Sequence, residues 1–127
     1  MSMIVKNKKI LIVDDEEPIR NLYTYKFKLG GYNVESANDG RSGLIVTQNF
    51  NPDIILLDLM MPEMNGEEML EEVRQQEWGK DIKVLILTNI GKDEAPAILR
   101  FLNISGYVVK ANHTPQQVFD IVEHLLK

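Results

Sequence analysis

The sequence contains no cysteine and only two histidines, His113 and His124, among its 127 residues. Without cysteine the chain cannot form disulfide bonds, thiolate metal sites or a cysteine nucleophile. Two histidines are too few for a histidine-rich metal cage. Basic residues are also in the minority, since 14 lysines and arginines face 19 acidic residues and leave a net charge of −5. A non-specific nucleic-acid binder needs a basic surface, so the charge argues against that class.

Long hydrophobic runs are missing as well. The first run, residues 10–13, stops at Asp14, whereas a secretory signal needs about 7–15 apolar residues and a membrane helix about 20. We therefore expect a cytoplasmic protein. Residues 1–7 are predicted to form a flexible leader. Residues 8–127 are predicted to form one domain, because this length and a hydrophobic content of 44% suit a single globular unit.

Short runs rich in β-branched residues predict a buried sheet. Four of them do not alternate with polar residues, namely residues 10–13, 54–57, 84–87 and 107–109. Strands of this kind are buried on both faces, as in parallel sheets. A fifth run, residues 32–37, alternates apolar and polar side chains and predicts a half-exposed edge strand.

Helical patterns fill the intervals between these runs, at residues 17–29, 41–49, 66–76, 94–103 and 115–127. Capping boxes are predicted at two helix starts, Asn65 with Glu68 and Thr114 with Gln117. In the fourth helix we expect Pro96 in the first turn and Asn103 at a left-handed end. The βα unit thus occurs five times, which predicts an α/β protein with a doubly wound, five-stranded parallel sheet and helices on both faces.

Polar side chains follow the predicted strands directly. Asp14 and Asp15 follow the first strand, Asp58 the third, Thr88 the fourth and Lys110 the fifth. In doubly wound sheets, ligands bind outside the carboxyl ends of the strands. An acid after a strand is commonly only a helix N-cap, and Asp15 can be interpreted that way. Asp58 cannot, because the next helix starts near Asn65.

Three carboxylates at one sheet edge need compensation. A pair about 4 Å apart is destabilised by repulsion of roughly 4 kcal/mol at an effective dielectric constant of about 20. A cation or raised pKa values must relieve such repulsion. Oxygen ligands without histidine or cysteine suit Mg²⁺, while Lys110 and Thr88 can bind phosphate oxygens. The residues therefore predict an acidic Mg²⁺ pocket that accepts phosphate, in which an aspartate can act as a nucleophile toward phosphorus.

In order and spacing, these segments resemble the receiver domain of two-component response regulators. The resemblance rests on Asp14-Asp15, the segment 58–66 (DLMMPEMNG), Thr88 and residues 107–110 (YVVK). It extends over nearly the whole chain, from residue 8 to residue 127. It implies a chemotaxis-receiver-like, flavodoxin-like sheet with strand order 2-1-3-4-5, and a phosphoprotein that acts in phosphorelay signal transduction.

The resemblance also implies roles for the acidic residues. Asp58 is the implied phosphoacceptor, which takes a phosphoryl group from a histidine kinase or a phosphotransfer protein and becomes an aspartyl phosphate. Asp15, Asp58 and the backbone carbonyl of Met60 are the implied Mg²⁺ ligands. Asp14 is expected to orient a water molecule bound to the metal.

A switch is implied by the same resemblance. Lys110 and Thr88 are expected to bind phosphoryl oxygens, after which Tyr107 rotates inward. This movement is expected to reshape the face formed by the fourth predicted helix, the fifth strand and the fifth helix, where an unknown target protein binds. We expect no direct contact with nucleic acid and no membrane insertion.

Two residues depart from the family pattern. Asn89 follows Thr88 where the family usually has alanine or glycine, and this larger side chain is expected to slow phosphorylation by small donors or to alter dephosphorylation. Ala111 follows Lys110 where the family usually has proline with a cis peptide bond. A cis bond before a non-proline residue is unfavourable by about 2.5–4 kcal/mol, so the sequence leaves the isomer of this bond open.

Two other functions stay open. A pseudo-receiver binds partners without phosphorylation, and its usual mark is a missing acid or lysine, which this chain retains. An aspartyl-phosphate phosphohydrolase needs a second aspartate two residues after its nucleophile, where this chain has Met60. We therefore predict a signalling switch and no conventional enzyme, although it catalyses its own phosphorylation and dephosphorylation. Unless the chain belongs to a longer protein, we expect it to act through protein contacts or phosphorelay alone.

Overall fold

The computed structural model describes residues 7–127 and contains a five-stranded parallel sheet with the strand order β2-β1-β3-β4-β5. The strands are β1 Lys9–Val13, β2 Asn33–Ala37, β3 Ile54–Leu57, β4 Lys83–Thr88 and β5 Gly106–Val109. This confirms the predicted sheet and its order. The alternating segment is an edge strand, as predicted. The predicted leader, residues 1–7, lies outside the described residues except for Asn7.

Four α-helices accompany the strands, α1 Glu17–Leu29, α2 Gly40–Phe50, α3 Gly66–Gln75 and α4 Pro115–Leu125. Both predicted capping boxes are confirmed. At the start of α3, the Asn65 side chain accepts a hydrogen bond from the Glu68 backbone at 2.9 Å, and the Glu68 carboxylate accepts one from the Asn65 backbone at 3.0 Å. Thr114 and Gln117 make the same reciprocal pair at the start of α4. These caps satisfy backbone donors that a helix start leaves unpaired.

The predicted fourth helix, residues 94–103, is wrong. Lys92–Glu94 and Ala97–Phe101 form two separate 3₁₀ turns instead. Proline disfavours helical backbone in the residue before it, and Ala95 is extended, with φ −64° and ψ 144°. Pro96 is extended as well, with ψ 133°, so it precedes the second turn and does not lie in the first turn of a helix.

Arg74, in the last turn of α3, ties this irregular segment to the rest of the domain. Its guanidinium group donates hydrogen bonds to five backbone carbonyls, those of Leu102 (2.8 Å), Asn103 (3.0 Å), Gly79 (2.8 Å), Lys80 (3.3 Å) and Ile82 (2.8 Å). Asn103 has the predicted left-handed conformation, with φ 54°. Because a left-handed residue turns the chain sharply, its carbonyl and that of Leu102 both face the arginine.

The sheet separates two hydrophobic cores. Successive strand residues point to opposite faces. Accordingly, α1 and α4 cover one face, and α2, α3 and the irregular segment of two 3₁₀ turns (residues 92–101, the 3₁₀ segment) cover the other. Phe27 and Val118 are fully buried in the first core, and Met69 and Leu70 in the second. Helices on both faces are thereby confirmed. Within residues 7–127 there is no helix with the length and apolar character needed to cross a membrane.

Candidate functional site

The carboxyl ends of three strands bring Asp14, Asp58 and Lys110 together. Asp14 follows β1, Asp58 follows β3, and Lys110 begins the 3₁₀ turn Lys110–Asn112 after β5. The Asp14 backbone donates to the Ala37 carbonyl at 3.1 Å, and the Asp58 backbone donates to the Val13 carbonyl at 3.0 Å. The parallel ladder thus extends one residue beyond β1 and β3, which places both carboxyl groups at the buried edge of the sheet.

Lys110 is the positive centre of this site. Its Nζ lies 2.7 Å from Asp14 Oδ2, 3.1 Å from Asp58 Oδ2 and 3.1 Å from Glu16 Oε1. Burial alone lowers the pKa of Lys110, but the hydrogen bond to Asp14 and the charges of Asp58 and Asp14 outweigh it and raise the pKa above its ordinary value. Lys110 is therefore charged at neutral pH and partly neutralises the carboxylates around it.

Burial acts in the opposite sense on the pKa of Asp14. Asp14 is only 2% exposed, and burial raises its pKa above the ordinary value, although the hydrogen bonds from Lys110 and from the Glu16 backbone lower it. The nearby charge of Asp58 raises the pKa of Asp14 further. An additional cation at this edge would offset the desolvation of the buried carboxylates and reduce the repulsion between them.

The Asp58 carboxylate is held on both of its oxygens. Oδ1 accepts hydrogen bonds from the backbone N–H groups of Leu59 at 2.7 Å and Met60 at 3.3 Å, while Oδ2 faces Lys110. Behind it, the first residue of α3 must be glycine, because a Cβ on Gly66 would lie 2.2 Å from the Asp58 carbonyl oxygen. The aspartate is thus oriented by its own loop, by the start of α3 and by Lys110.

Glu16 is the residue of this site that sequence reasoning missed. One oxygen from each of Asp14, Glu16 and Asp58 lies within 4.8 Å of the others, and these three form the group of carboxylates that could hold a metal among the described residues. The only signal in the sequence was the acidic run that follows β1. Asp15 is exposed and lies outside this group; it lines a shallow depression with Met60. Its assignment as a metal ligand, like that of Met60, stays a prediction.

The donor set suits a hard cation. All three clustered side chains offer carboxylate oxygens, and Mg²⁺ prefers oxygen ligands and keeps several waters when few protein groups bind it. The exposure of Glu16 and Asp15 leaves the site open to solvent on one side. The clustered carboxylates therefore fit Mg²⁺.

Thr88 and Tyr107 are linked through the backbone of Ile90. Thr88 is fully buried at the end of β4, and its Oγ1 accepts a hydrogen bond from the Ile90 N–H at 3.4 Å. The Tyr107 hydroxyl donates to the Ile90 carbonyl at 2.8 Å. Burial raises the pKa of Tyr107, with smaller contributions from the charges of Asp58 and two glutamates, so its hydroxyl remains a donor. The loop after β4 is therefore hydrogen-bonded to both Thr88 and Tyr107.

The two residues that depart from the family pattern, Asn89 and Ala111, directly follow Thr88 and Lys110. The peptide bond between Lys110 and Ala111 is trans, like every other peptide bond in the described part of the chain. Asn89 is exposed and directly follows the buried Thr88.

A protein-family model described as the response regulator receiver domain matches residues 10–123. The chain therefore belongs to the response regulator receiver family, the receiver domains of two-component systems. It is 43% identical over 121 residues to the alkaline phosphatase synthesis transcriptional regulatory protein PhoP of Bacillus subtilis, covering 95% of this chain and 49% of that protein. It is 33% identical over 119 residues to the DNA-binding dual master transcriptional regulator RpaA of Synechocystis. That match covers 94% of this chain and 46% of RpaA. It thus spans about half the length of these curated relatives.

Solved structures agree with this assignment. The chemotaxis response regulator CheY4 of Vibrio cholerae superposes with a TM-score of 0.86 at 31% identity, and the match covers 95% of this chain and 100% of that one. A CheY-like receiver domain from Methanospirillum hungatei superposes with the same TM-score at 26% identity. The fold is therefore the CheY-like, flavodoxin-like fold that the family resemblance implies.

Proposed function

We propose that this domain accepts a phosphoryl group on Asp58 from a histidine kinase or a phosphotransfer protein, in a Mg²⁺-dependent reaction. The observation that carries the proposal is the geometry around Asp58. Its buried carboxylate is oriented by the Leu59 N–H at 2.7 Å and by the Lys110 ammonium at 3.1 Å, next to further carboxylates suited to a metal. This arrangement combines a nucleophile, a positive charge and a cation site at one point.

The chemical step is a transfer between two covalent phosphoryl carriers. A carboxylate oxygen of Asp58 attacks phosphorus, an O–P bond forms, and the P–N bond of the phosphohistidine breaks with its electron pair left on the imidazole nitrogen. Lys110 binds an oxygen of the transferring group and offsets its charge. Asp15, Asp58 and the Met60 carbonyl, with Asp14 and Glu16 nearby, are the groups that would hold Mg²⁺. A bound Mg²⁺ supplies positive charge that neutralises the carboxylates and the phosphoryl oxygens.

The proposed outcome is a population shift. Phosphorylation replaces a charge of −1 by one of about −2 and adds acceptor oxygens. Two or three charge-assisted hydrogen bonds from Thr88, Lys110 and the loop, each contributing about 1.5–3 kcal/mol, can reverse an equilibrium of a few kcal/mol. Through Ile90 this change reaches Tyr107 and the surface formed by the 3₁₀ segment, β5 and α4, where we propose that a target protein binds.

This role is that of a signalling switch, because the domain modifies itself and turns over no separate substrate. We further propose that the domain works in the cytoplasm. We do not propose that residues 8–127 bind nucleic acid directly or insert into a membrane. Transcriptional output, which the names of two relatives state for those proteins, is not part of what this domain itself is proposed to do.

Phosphotransfer tests the proposal directly. The protein is incubated with Mg²⁺ and acetyl phosphate, and separately with a phosphorylated histidine kinase, and its intact mass is measured. One phosphoryl group is expected on the wild type and on D81N, which alters an exposed aspartate far from the site, but none on D58N or after chelation of Mg²⁺. A phosphoryl adduct on D58N would overturn the site assignment. No adduct from either donor would favour the pseudo-receiver alternative.

Replacing Asn89 by alanine is expected to increase the rate of phosphorylation by acetyl phosphate by about two- to fivefold, because a smaller side chain beside Thr88 opens the approach to Asp58. The rate of dephosphorylation is followed in the same samples by intact mass after removal of the donor. The control is N49A, which truncates an exposed asparagine on α2. If N89A changes neither rate, the side chain does not obstruct the site.

A further inference from the structure

Glu16 contacts Lys110 with a far more exposed side chain than the aspartates do. Its Oε1 is 3.1 Å from the ammonium nitrogen, the same distance as the Asp58 oxygen. The Glu16 side chain is 53% exposed, whereas those of Asp14 and Asp58 are only 3% and 6% exposed. Glu16 can therefore leave the lysine and be solvated at less expense than either aspartate, since its carboxylate is already half in water.

The backbone between β1 and α1 places Glu16 in this position. Asp14 Oδ1 accepts a hydrogen bond from the Glu16 N–H at 2.9 Å. Arg20 of α1 then holds both ends of the turn, because its side chain donates to the Asp14 carbonyl and its backbone N–H donates to the Glu16 carbonyl, each at 2.9 Å. The turn leaves Asp15 exposed while Glu16 contacts Lys110. The ion pair is thus set by the path of the chain.

The three contacts of Lys110 leave no donor for a further acceptor. An ammonium group has three N–H donors, and three carboxylates lie within 3.1 Å of this one. A phosphoryl group on Asp58 uses up the carboxylate charge of that residue but brings three acceptor oxygens and a charge of about −2. Asp14, Glu16 and the phosphoryl oxygens together then offer more acceptors than the three donors of Lys110 can serve, so contacts of Lys110 must give way. The Asp14 contact is the shortest, at 2.7 Å, and is buried, whereas the Glu16 contact is long and half exposed.

We propose that Glu16 is a positioning residue that holds the Lys110 ammonium in the unphosphorylated protein and yields it to the phosphoryl group. The inference rests on the proposed phosphorylation of Asp58 and names a residue that regulates it. Its consequence is that Glu16 opposes phosphorylation. A neutral side chain at this position frees a donor of Lys110 and removes a negative charge beside the incoming phosphoryl group.

The test compares E16Q with E17Q, which makes the same charge change at an exposed position one residue further along. Phosphorylation by acetyl phosphate is measured at a Mg²⁺ concentration that saturates each variant, because E16Q is also expected to bind Mg²⁺ less tightly. We expect E16Q to react about three- to tenfold faster than the wild type, as the loss of one charge near the site predicts, and E17Q to stay within about twofold. An unaccelerated or slower E16Q overturns the proposal.

A second measurement tests the contact without phosphorylation or metal. In a double-mutant cycle, the effect of E16Q on the folding equilibrium is measured with Lys110 present and in the K110M background. With Lys110 removed, E16Q relieves repulsion and loses no ion pair. We therefore expect the change that E16Q causes in the folding equilibrium constant to favour the folded state about fivefold more in the K110M background than with Lys110 present. E17Q should have the same effect in both backgrounds.

The two measurements separate the failure of this inference from the failure of the proposed function. Equal behaviour of E16Q and E17Q in the cycle shows that Glu16 does not hold Lys110, and the inference is then wrong whatever the phosphorylation result. Coupling in the cycle without acceleration overturns the competition with the phosphoryl group. If the wild type accepts no phosphoryl group, the proposed function fails, and the competition proposed for Glu16 fails with it.

Discussion

Replacing Lys110 by methionine is expected to lower the free energy of unfolding by about 3 kcal/mol in metal-free buffer, because removing one partner of a buried ion pair leaves the others uncompensated. The carboxylates of Asp14, Glu16 and Asp58 then face each other without the ammonium group that lies within 3.1 Å of each. Chemical denaturation measures the loss. Addition of Mg²⁺ should restore more stability to K110M than to the wild type, because the metal replaces the missing positive charge.

The pH dependence of K110M follows from the pKa of Asp14. Burial already raises this pKa above its ordinary value, and the substitution removes the hydrogen bond and the charge of Lys110, which lower it. The pKa of Asp14 therefore rises further in the variant. A carboxyl group with a raised native pKa favours the folded state at low pH, and that stability is lost as the pH rises through the native value. The deficit of K110M should thus be larger near pH 8 than near pH 5.

The control for K110M is K80M. Lys80 forms an ion pair with Glu77 at 2.6 Å, but both side chains are mostly exposed, and exposed pairs contribute only about 0–1 kcal/mol. K80M is therefore expected to change stability little and to gain nothing from Mg²⁺. A K110M variant as stable as K80M at every pH would show that the carboxylates do not depend on Lys110 for neutralisation.

Replacing Arg74 by alanine is expected to destabilise the domain by about 3 kcal/mol, because hydrogen bonds from a charged donor contribute about 1.5–3 kcal/mol each and do not add independently. Five backbone carbonyls lose their donor at once. Those of Leu102 and Asn103 anchor the end of the 3₁₀ segment. Hydrogen–deuterium exchange should therefore increase most in residues 97–105, in addition to the global loss seen by denaturation.

Two variants make the Arg74 experiment specific. R100A truncates an exposed arginine on the 3₁₀ segment itself and should alter neither global stability nor exchange appreciably. R74K keeps the charge but offers a single ammonium in place of the planar fork of donors, so an intermediate loss is expected. Exchange in residues 97–105 that is the same in R74A and R100A would contradict the anchoring role.

Most of the fold could be predicted because its signals are local. The central strands are continuous apolar runs, and α3 and α4 begin at capping boxes whose residues are three apart in sequence. The segment 94–103 shows where this reasoning stops. Its apolar spacing suits a helix, but Pro96 forces Ala95 into an extended conformation. The residues that follow form a 3₁₀ turn, and just beyond it the carbonyls of Leu102 and Asn103 accept hydrogen bonds from Arg74.

Prediction of the site was limited by the path of the backbone. Asp14, Asp58 and Lys110 follow strands directly, so the sheet itself brings them together. Glu16 lies two residues beyond β1, where the direction of a side chain depends on the turn that Asp14 and Arg20 hold. The link between Thr88 and Tyr107 depends in the same way on the position of the Ile90 peptide group. Neither hydrogen bonds across a loop nor the course of a turn can be deduced from residue spacing.

The irregular segment after β4 presents a different surface from that of an α-helix. A partner that grips an α-helix contacts residues three and four apart along one side. In Ala97–Phe101 the 3₁₀ geometry places residues three apart in line, and Phe101 stands 80% exposed. A protein shaped to a helix at this place would meet side chains out of register. Recognition of this surface would then depend on the path of the backbone, so exchanging single residues here should not transfer specificity.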